Sequence, residues 1–158
     1  MSDNTDFLIL QKLQHDGRLS NVDLAEQINL SASPCLRRVK ALETEGYIKG
    51  YSAKLDRTKA GFAMTVFIEV RLNNHSTEGI EEFERKVLDL DNIISAYLVS
   101  GFADYRLEAV AKDLTDYERI LKEVQNLPYV KGIQSNFAIR AIKADAPLPL
   151  ANTFSKTK

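Results

Sequence analysis

Hydrophobic residues in the first 46 positions recur at helical spacing in three separate stretches. The first stretch predicts a helix from Asp6 to His15 that ends at Gly17. The second predicts a short helix that begins after Ser20, where SNVD approximates a capping box, and ends near Asn29. Only NLS, or NLSA, separates this helix from the third stretch, so the pattern predicts two short helices joined by a tight turn.

The third helix is predicted to begin with Ser33 as its N-cap and to end at Gly46. Pro34 is tolerated in its first turn because the N–H that proline lacks has no helical partner there. The following YIKGYSAKL, residues 47–55, is rich in aromatic and β-branched residues and predicts a small hairpin or an extended strand. Three helices followed by a wing are therefore predicted for the first third of the chain.

A different pattern begins at residue 63, where short alternating stretches and helical stretches follow one another. The predicted elements are a strand at 63–72, a helix at 76–90, strands at 93–100 and 105–111, a helix at 113–127 and a strand at 130–142. The order βαββαβ is that of a ferredoxin-like sandwich, in which two helices cover one face of an antiparallel sheet. The fold class is therefore α+β.

These patterns divide the chain into four parts. Residues 1–55 form the three-helix domain with its wing, and DRTKAGF at 56–62 is the linker because it is polar, basic and without periodicity. Residues 63–144 form the sandwich. Residues 145–158 are a tail that prolines interrupt.

Charge is distributed unevenly along the 158 residues. The formal net charge is −1, but residues 37–59 carry seven cations against three anions. Because a polyanion responds to the field within a Debye length of about 8–10 Å, this local excess matters more than the total. The first domain is thus expected to contact a partner of negative charge.

The remaining composition excludes several classes of protein. Cys35 is the single cysteine, and His15 and His75 are far apart, so neither an internal disulfide nor a zinc cluster is expected. No apolar run approaches the roughly 18 residues of a membrane span, and MSDNTD does not resemble an export signal. We therefore expect a cytoplasmic protein without a membrane partner.

The third helix separates its cations from its apolar residues. On a helical wheel with Arg37 at zero, Cys35 and Leu42 fall near 140–160°, whereas Ser33 and Lys40 lie within about 60° of Arg37. Arg38 lies on the flank, near 100°, and the first turn offers free N–H groups to a phosphate. A helix of this kind, packed on a shorter helix across a tight turn, suits the major groove of DNA.

The two lysines of the wing, Lys49 and Lys54, are placed to contact backbone phosphates and to add affinity without sequence information. The alternative for the helix itself is an ordinary solvated basic face, because such charge runs are common on soluble helices. Cys35 belongs to the apolar face and is expected to be a buried thiol.

The first half of the chain, DFLILQKLQHDGRLSNVDLAEQINLSASPCLRRVKALETEGYIKGYSAKLD, resembles the DNA-binding domain of the Lrp/AsnC (leucine-responsive, feast/famine) family of prokaryotic transcription factors. The second half is similar to that family's ligand-sensing domain, with SGFADYRL at its glycine turn. The resemblance extends from about Asp3 to Leu150. It is specific through the combination of DGRxSNxxLA, LSxSPCLRRVxxLExxGYIxGY and SGxxDY.

This resemblance implies a winged helix-turn-helix spanning Asn21–Lys40, with Ser31–Glu43 as the recognition segment. It thereby adds Ser31 and Pro34 to the candidate DNA-contacting residues. It also implies homodimers joined through the sandwich sheets, commonly assembled into octamers. The expected partners are thus double-stranded DNA, further copies of the chain and a small amino acid, with no resident cofactor.

The resemblance further implies that an amino-acid effector binds between dimers at Ser100–Tyr105, a turn that contains Gly101, Phe102 and Asp104. The N–H groups near Gly101 can receive the effector's carboxylate, and Asp104 can receive its ammonium group. From residue types alone, a hairpin turn in which Asp104 merely bonds its own backbone is the alternative. Phe102 and Arg106 depart from the family pattern, which predicts either a changed specificity or a lost ligand.

The predicted function is sequence-specific transcriptional regulation in response to a small amino acid. The alternative is a ligand-independent architectural protein that wraps DNA. Catalysis is not expected, because His15 and His75 have no nucleophile or carboxylate at suitable spacing and no phosphate loop is present.

Overall fold

The computed structural model describes residues 4–150, which divide into two compact units. The first unit consists of two stretches of the chain, one that ends at Lys54 and one that begins at Lys143. The second unit is Leu55–Ile142. The predicted tail is therefore split: residues 145–150 belong to the first unit, and the rest lies outside the described residues. None of the described helices is both long and apolar enough to span a bilayer.

Three helices form the first unit: α1 (Asn4–His15), α2 (Asn21–Gln27) and α3 (Ala32–Thr44). Their buried residues make one small core to which every helix contributes: Ile9, Leu10, Leu24, Ala25, Ile28, Cys35 and Leu42. These positions recur at helical spacing, so the three predicted helices are confirmed.

The first turns of α2 and α3 are capped differently. Ser20 caps α2 as predicted, since its hydroxyl accepts a hydrogen bond from the Asp23 N–H at 3.1 Å. The predicted cap of α3, Ser33, is wrong: Ser31 has the extended backbone of an N-cap, and its carbonyl accepts from Cys35 N–H. The helix includes Ala32 and Ser33 because Pro34 remains within the first turn, where its missing N–H leaves no bond unmade.

The turn between α2 and α3 depends on Asn29, whose φ of +55° lies in the left-handed region. Asparagine tolerates this conformation better than branched residues do. The chain reverses direction in this turn, and the Leu30 N–H donates to the Ala25 carbonyl at 2.9 Å. At the other end of α3, Gly46 has φ +78°, which explains why the helix stops there as predicted.

The wing, residues 47–55, contains no paired strand, so neither the hairpin nor the extended strand predicted there is present. Side-chain contacts fix this segment instead. Ile48 packs against the core of the first unit, and the Tyr51 hydroxyl donates to Glu43 Oε1 at 3.0 Å. Burial, together with this hydrogen bond to a carboxylate, raises the pKa of Tyr51 to about 12. Ile48 and Tyr51, two of the residues that suggested a strand, thus contact the helical part of the first unit instead.

The second unit contains β1 (Met64–Leu72), α4 (Thr77–Leu88), β2 (Ile93–Leu98), β3 (Tyr105–Ala111), α5 (Leu114–Gln125) and β4 (Val130–Phe137). The strands form one antiparallel sheet in the order β2-β3-β1-β4. One core joins the sheet to both helices, with Ile68 and Leu107 from the central strands against Phe83 of α4 and Ile120 of α5. The ferredoxin-like sandwich is confirmed.

Strands β2 and β4 are shorter than predicted because the strands that pair with them, β3 and β1, extend no further. β4 stops at Phe137, which pairs with Val66, and only the Ala138 N–H reaches further, to the Thr65 carbonyl. Residues 139–142 continue the alternating pattern, yet β1 begins at Met64 and offers them no further ladder. β2 likewise ends at Leu98, opposite the first residue of β3, Tyr105.

Candidate nucleic-acid interface and effector turn

The outer face of α3 presents Ser33, Arg37 and Lys40 to solvent, while Cys35 and Leu42 on its other side are 0% and 2% exposed. Burial also raises the pKa of the Cys35 thiol, so this residue is part of the core and is not a nucleophile. The predicted separation of cations from core is therefore present. A short α2 and a tight turn hold this face, as a helix-turn-helix requires.

Arg38 differs from its two cationic neighbours. Its Nη1 lies 2.9 Å from Asp6 Oδ1, and the two side chains are 35% and 15% exposed. This ion pair joins α3 to the first turn of α1, across 32 residues of sequence. Arg38 was predicted to contact DNA, and the structure instead directs it into the helix bundle.

The first turn of α3 also meets α2 through a residue that the sequence reasoning did not single out. Asn21 Nδ2 donates to the Ala32 carbonyl at 2.8 Å, while its Oδ1 is buried without a hydrogen-bond partner. Ser31 is exposed and makes no side-chain cap bond, and Pro34 is half-buried. The hydroxyls of Ser31 and Ser33 therefore lie at the exposed start of the helix.

The two lysines of the wing have different surroundings. Both side chains are exposed, but Lys54 Nζ donates to the Asp145 carbonyl at 2.8 Å. Lys49 follows directly on Ile48, which the core holds in place. Lys49 is thus presented from a fixed backbone, whereas Lys54 is tied to the segment that returns from the second unit.

The predicted effector turn, at Ser100–Tyr105 in the second unit, exposes its first three residues. Gly101 has φ +122°, a conformation that other residues rarely adopt. The Phe102 ring is 77% exposed, and the Arg71 guanidinium carbon lies 4.6 Å from its centroid. The departure from the family pattern at Phe102 therefore places an exposed aromatic ring, with a cation over its face, at the tip of the turn.

Asp104 joins this turn to the start of the next helix. Its Oδ2 accepts from the Leu72 N–H at 2.7 Å, and its Oδ1 lies 3.1 Å from His75 Nε2. The hydrogen bond from Leu72 is the main reason why the pKa of Asp104 lies below its ordinary value, and His75 adds to the effect. Asp104 thus bonds the backbone of β1 and not that of its own turn, and the His75–Asp104 pair is one that sequence spacing did not reveal.

Tyr105, which was predicted as an effector ligand, is the first residue of β3, and its side chain packs against helix α4. It is 3% exposed, its hydroxyl donates to Glu84 Oε1 at 2.8 Å, and its ring centroid lies 4.7 Å from that of Phe83. Burial and the Glu84 carboxylate raise its pKa. Tyr105 lines an open groove of about 230 Å³ together with Phe83, Glu84, Val87, Leu88, Ala96 and Leu98.

Arg106, the other departure from the family pattern, lies on the face of the sheet that the helices leave open. Its guanidinium carbon is 4.6 Å from the Phe67 ring centroid, and Tyr97 pairs with it from β2. Arg106 therefore lies on the opposite face of β3 from Tyr105, because alternate residues of a strand point to opposite faces. The structure brings Ser100, Gly101, Phe102 and Asp104 together and assigns Tyr105 and Arg106 to two other surfaces.

Comparison with known proteins defines the class to which this architecture belongs. A family profile described as winged helix-turn-helix DNA-binding matches residues 2–49, and one described as Lrp/AsnC ligand binding domain matches residues 65–148. A DNA-binding unit followed by a ligand-binding unit defines a transcriptional regulator, not an enzyme.

The chain belongs to the Lrp/AsnC family. It is 40% identical over 149 residues to the Bkd operon transcriptional regulator of Pseudomonas aeruginosa, covering 94% of this chain and 97% of that protein. It is 37% identical over 142 residues to the leucine-responsive regulatory protein of Escherichia coli, covering 89% and 87%. A Neisseria meningitidis transcriptional regulator solved in complex with L-Met has a TM-score of 0.90 at 34% identity, with 97% and 99% of the two chains covered.

Proposed function

We propose that this regulator binds its operators through the outer face of α3 and that a small amino acid, bound at the turn 100–104, alters this binding. The observation that supports the first half most directly is the exposure of Arg37 and Lys40 opposite the buried Cys35 and Leu42. A face of small, hydroxylic and cationic residues can reach base edges and phosphates together. Because it acts on DNA, the protein is proposed to work in the cytoplasm.

Contact residues on DNA are proposed in two groups. Ser31, Ser33, Arg37 and Lys40 lie on the exposed side of α3 and form the groove-facing group. Lys49 and Lys54, which are both exposed, are the phosphate-facing group. Arg38 is left out of both groups because of its ion pair with Asp6, and half-buried Pro34 shapes the first turn.

The effector is proposed to be an amino acid with an apolar side chain. The Neisseria meningitidis relative was solved with L-Met, and in this chain the exposed Phe102 ring offers an apolar surface in the turn 100–104. Gly101, at φ +122° and without a side chain, allows a close approach to N–H groups, and Asp104 supplies a carboxylate whose side chain is 29% exposed. Tyr105, being behind the turn, is proposed to support its backbone rather than to touch the ligand.

Assembly into dimers through the open face of the sheet, and of dimers into an octamer, is proposed as the active state. The open face carries Phe67, Tyr97 and Arg106 around a shallow depression, a surface with large aromatic area for a second copy. Two-fold pairing also gives two recognition helices, which predicts a pseudo-palindromic operator.

DNA binding is tested with a duplex that the wild-type protein selects from a randomised library. Fluorescence anisotropy at fixed salt is expected to show about tenfold weaker binding for Arg37→Ala and Lys40→Ala, since each removes contacts worth about 1–3 kcal/mol. Arg85→Ala, in the exposed last turn of α4, is the control and should bind as wild type. Unchanged affinity in both α3 variants would show that this face does not bind DNA.

Effector binding is tested by adding a panel of amino acids and following thermal unfolding, since a ligand selective for the folded state raises Tm. L-Met and other apolar amino acids are expected to raise Tm of the wild type, and Phe102→Ala should reduce that response without lowering Tm of the free protein. A flat response to the whole panel would favour a ligand-independent protein that shapes DNA.

A further inference from the structure

The C-terminal part of the described chain is hydrogen-bonded to α1 through a reciprocal pair. Gln14 Nε2 donates to the Leu148 carbonyl at 3.1 Å, and the Leu148 N–H donates to Gln14 Oε1 at 3.0 Å. A side-chain amide that satisfies both polar groups of one residue imitates the pairing of two strands. The two residues are 134 positions apart, so this contact closes a loop over nearly the whole chain.

Two further contacts hold residues 145–150 against the rest of the first unit. Lys54 Nζ donates to the Asp145 carbonyl at 2.8 Å, and Leu150 packs against the core of the first unit. Leu148 and Leu150 line an apolar groove of about 300 Å³ whose other walls are Leu10 and Leu13 of α1 and the segment 47–51. Residues 145–150 are thus held by polar contacts at Asp145 and Leu148 and by apolar contacts at Leu150.

The sequence of this segment suits a fixed attachment. Pro147 and Pro149 flank Leu148, so the chain has a restricted backbone that loses little entropy on docking. A residue before proline also favours extended backbone, in which its N–H and carbonyl are free to pair sideways. Since prolines have no N–H, Leu148 supplies the donor of the stretch 147–149, and Gln14 accepts from it.

We propose that residues 145–150 are a strap that attaches the DNA-binding unit to the chain leaving the second unit, and that this attachment supports DNA binding. The first unit is then connected at two places, after Lys54 and before Lys143, instead of one. Two attachments limit the independent motion of the helix-turn-helix, so less entropy is lost when it settles on DNA. This device is additional to the proposed effector response and does not depend on it.

The test uses the full chain with Gln14→Ala and, separately, Leu150→Ser. Gln11→Ala, on the same helix, is the matched control, and alanine keeps the helix propensity of α1 high. Far-UV circular dichroism verifies that each variant is folded. The main readouts are hydrogen exchange of α1 and residues 47–51 and the rate of tryptic cleavage after Lys54, Arg57 and Lys59.

Both strap variants are expected to exchange these amides about tenfold faster than wild type and to be cleaved faster. Gln14→Ala loses the paired hydrogen bonds and Leu150→Ser loses apolar packing, and either loss favours local opening. Affinity for the selected duplex should fall about three- to tenfold. Exchange and cleavage at wild-type rates in both variants would overturn the strap. Faster exchange with unchanged DNA affinity would overturn its support of DNA binding.

Discussion

Arg37 and Arg38 are neighbours with the same side chain and different surroundings. Arg37 is exposed on the outer face of α3, whereas Arg38 pairs with Asp6 of α1 at 2.9 Å. One step along a helix rotates a side chain by about 100°, which is enough to move it from the solvent face to the flank of the bundle. The two residues therefore serve as a matched pair for separating DNA contact from stability.

We predict that Arg38→Ala lowers the free energy of unfolding by about 0.5–1 kcal/mol, because a partly exposed ion pair is lost. Arg37→Ala should change it by less than about 0.5 kcal/mol. For DNA affinity we expect the opposite: Arg37→Ala should bind the duplex more weakly than Arg38→Ala. Urea unfolding and anisotropy on the same preparations measure both quantities, and equal effects of the two variants would contradict the assignment.

Asp104 has a structural task in addition to its proposed contact with an effector. It accepts the Leu72 N–H and lies beside His75, so it ties the effector turn to the end of β1 and to the loop before α4. A loss of effector response in an Asp104 variant would therefore have two explanations. Phe102, which is 77% exposed, is the cleaner position for testing the ligand.

The lowered pKa of Asp104 predicts a pH-dependent contribution to stability. A carboxylate whose folded pKa lies below its unfolded value, about 3.9, stabilises the fold above that value, and the contribution is lost as pH falls through the folded pKa. Asp104→Asn should cost about 1 kcal/mol at pH 7 and progressively less below about pH 4. Urea unfolding from pH 7 to pH 3 measures this, with Asp91→Asn as the control, and a cost independent of pH would contradict it.

At the scale of elements, the helix-turn-helix depends on one backbone conformation between α2 and α3. Asn29 takes φ +55°, and the Leu30 N–H then returns to the Ala25 carbonyl. This reversal sets the direction in which α3 leaves, and hence where Arg37 and Lys40 are presented. The wing, by contrast, depends on side chains: Ile48 in the core and Tyr51 on Glu43.

We predict that Asn29→Val destabilises the protein by about 1–2 kcal/mol, since a branched side chain is strained at positive φ. Asn29→Gly should be tolerated within about 0.5 kcal/mol, because glycine adopts this conformation freely. Urea unfolding of both variants gives the comparison. If valine and glycine had equal effects, the left-handed turn would not be the reason for asparagine at this position.

At the scale of the whole molecule, the sheet has one face covered by helices and one face open. Phe67 and Arg106 form a cation–π pair on the open face at 4.6 Å, and the Arg57–Glu108 ion pair at 2.7 Å lies beside them. A large aromatic surface ringed by charges is suited to pairing with a second copy of itself. The proposed dimer therefore uses residues that make no contribution to the core of one chain.

Phe67→Glu is predicted to convert the assembled protein to smaller particles, because it places a further carboxylate beside Glu69 and Glu108 in the proposed interface. Sedimentation velocity at several concentrations measures the change. Leu114→Glu, a matched substitution of an exposed residue in the first turn of α5, should leave the dimer intact. Wild-type sedimentation of Phe67→Glu would contradict pairing through the sheet.

The faces of single elements could be predicted from sequence, whereas contacts between elements could not. Alternation correctly predicted a strand where β1 lies, and the helical wheel correctly opposed Arg37 to Cys35. The family resemblance placed Tyr105 in the effector turn, although its ring packs on Phe83 in the helix layer. Its direction depends on strand register, which follows from the partner strand as much as from its own residues.

The sequence alone determined the order of the elements, the buried side of each helix and the family, because these follow from periodicity and motifs within short windows. Only the tertiary structure decided which of the candidate residues are committed elsewhere. Arg38 meets Asp6 and Asp104 meets Leu72, each over 32 positions, and Gln14 meets Leu148 over 134. No local pattern encodes such pairs, since they form only when packing of the hydrophobic cores brings distant backbone together.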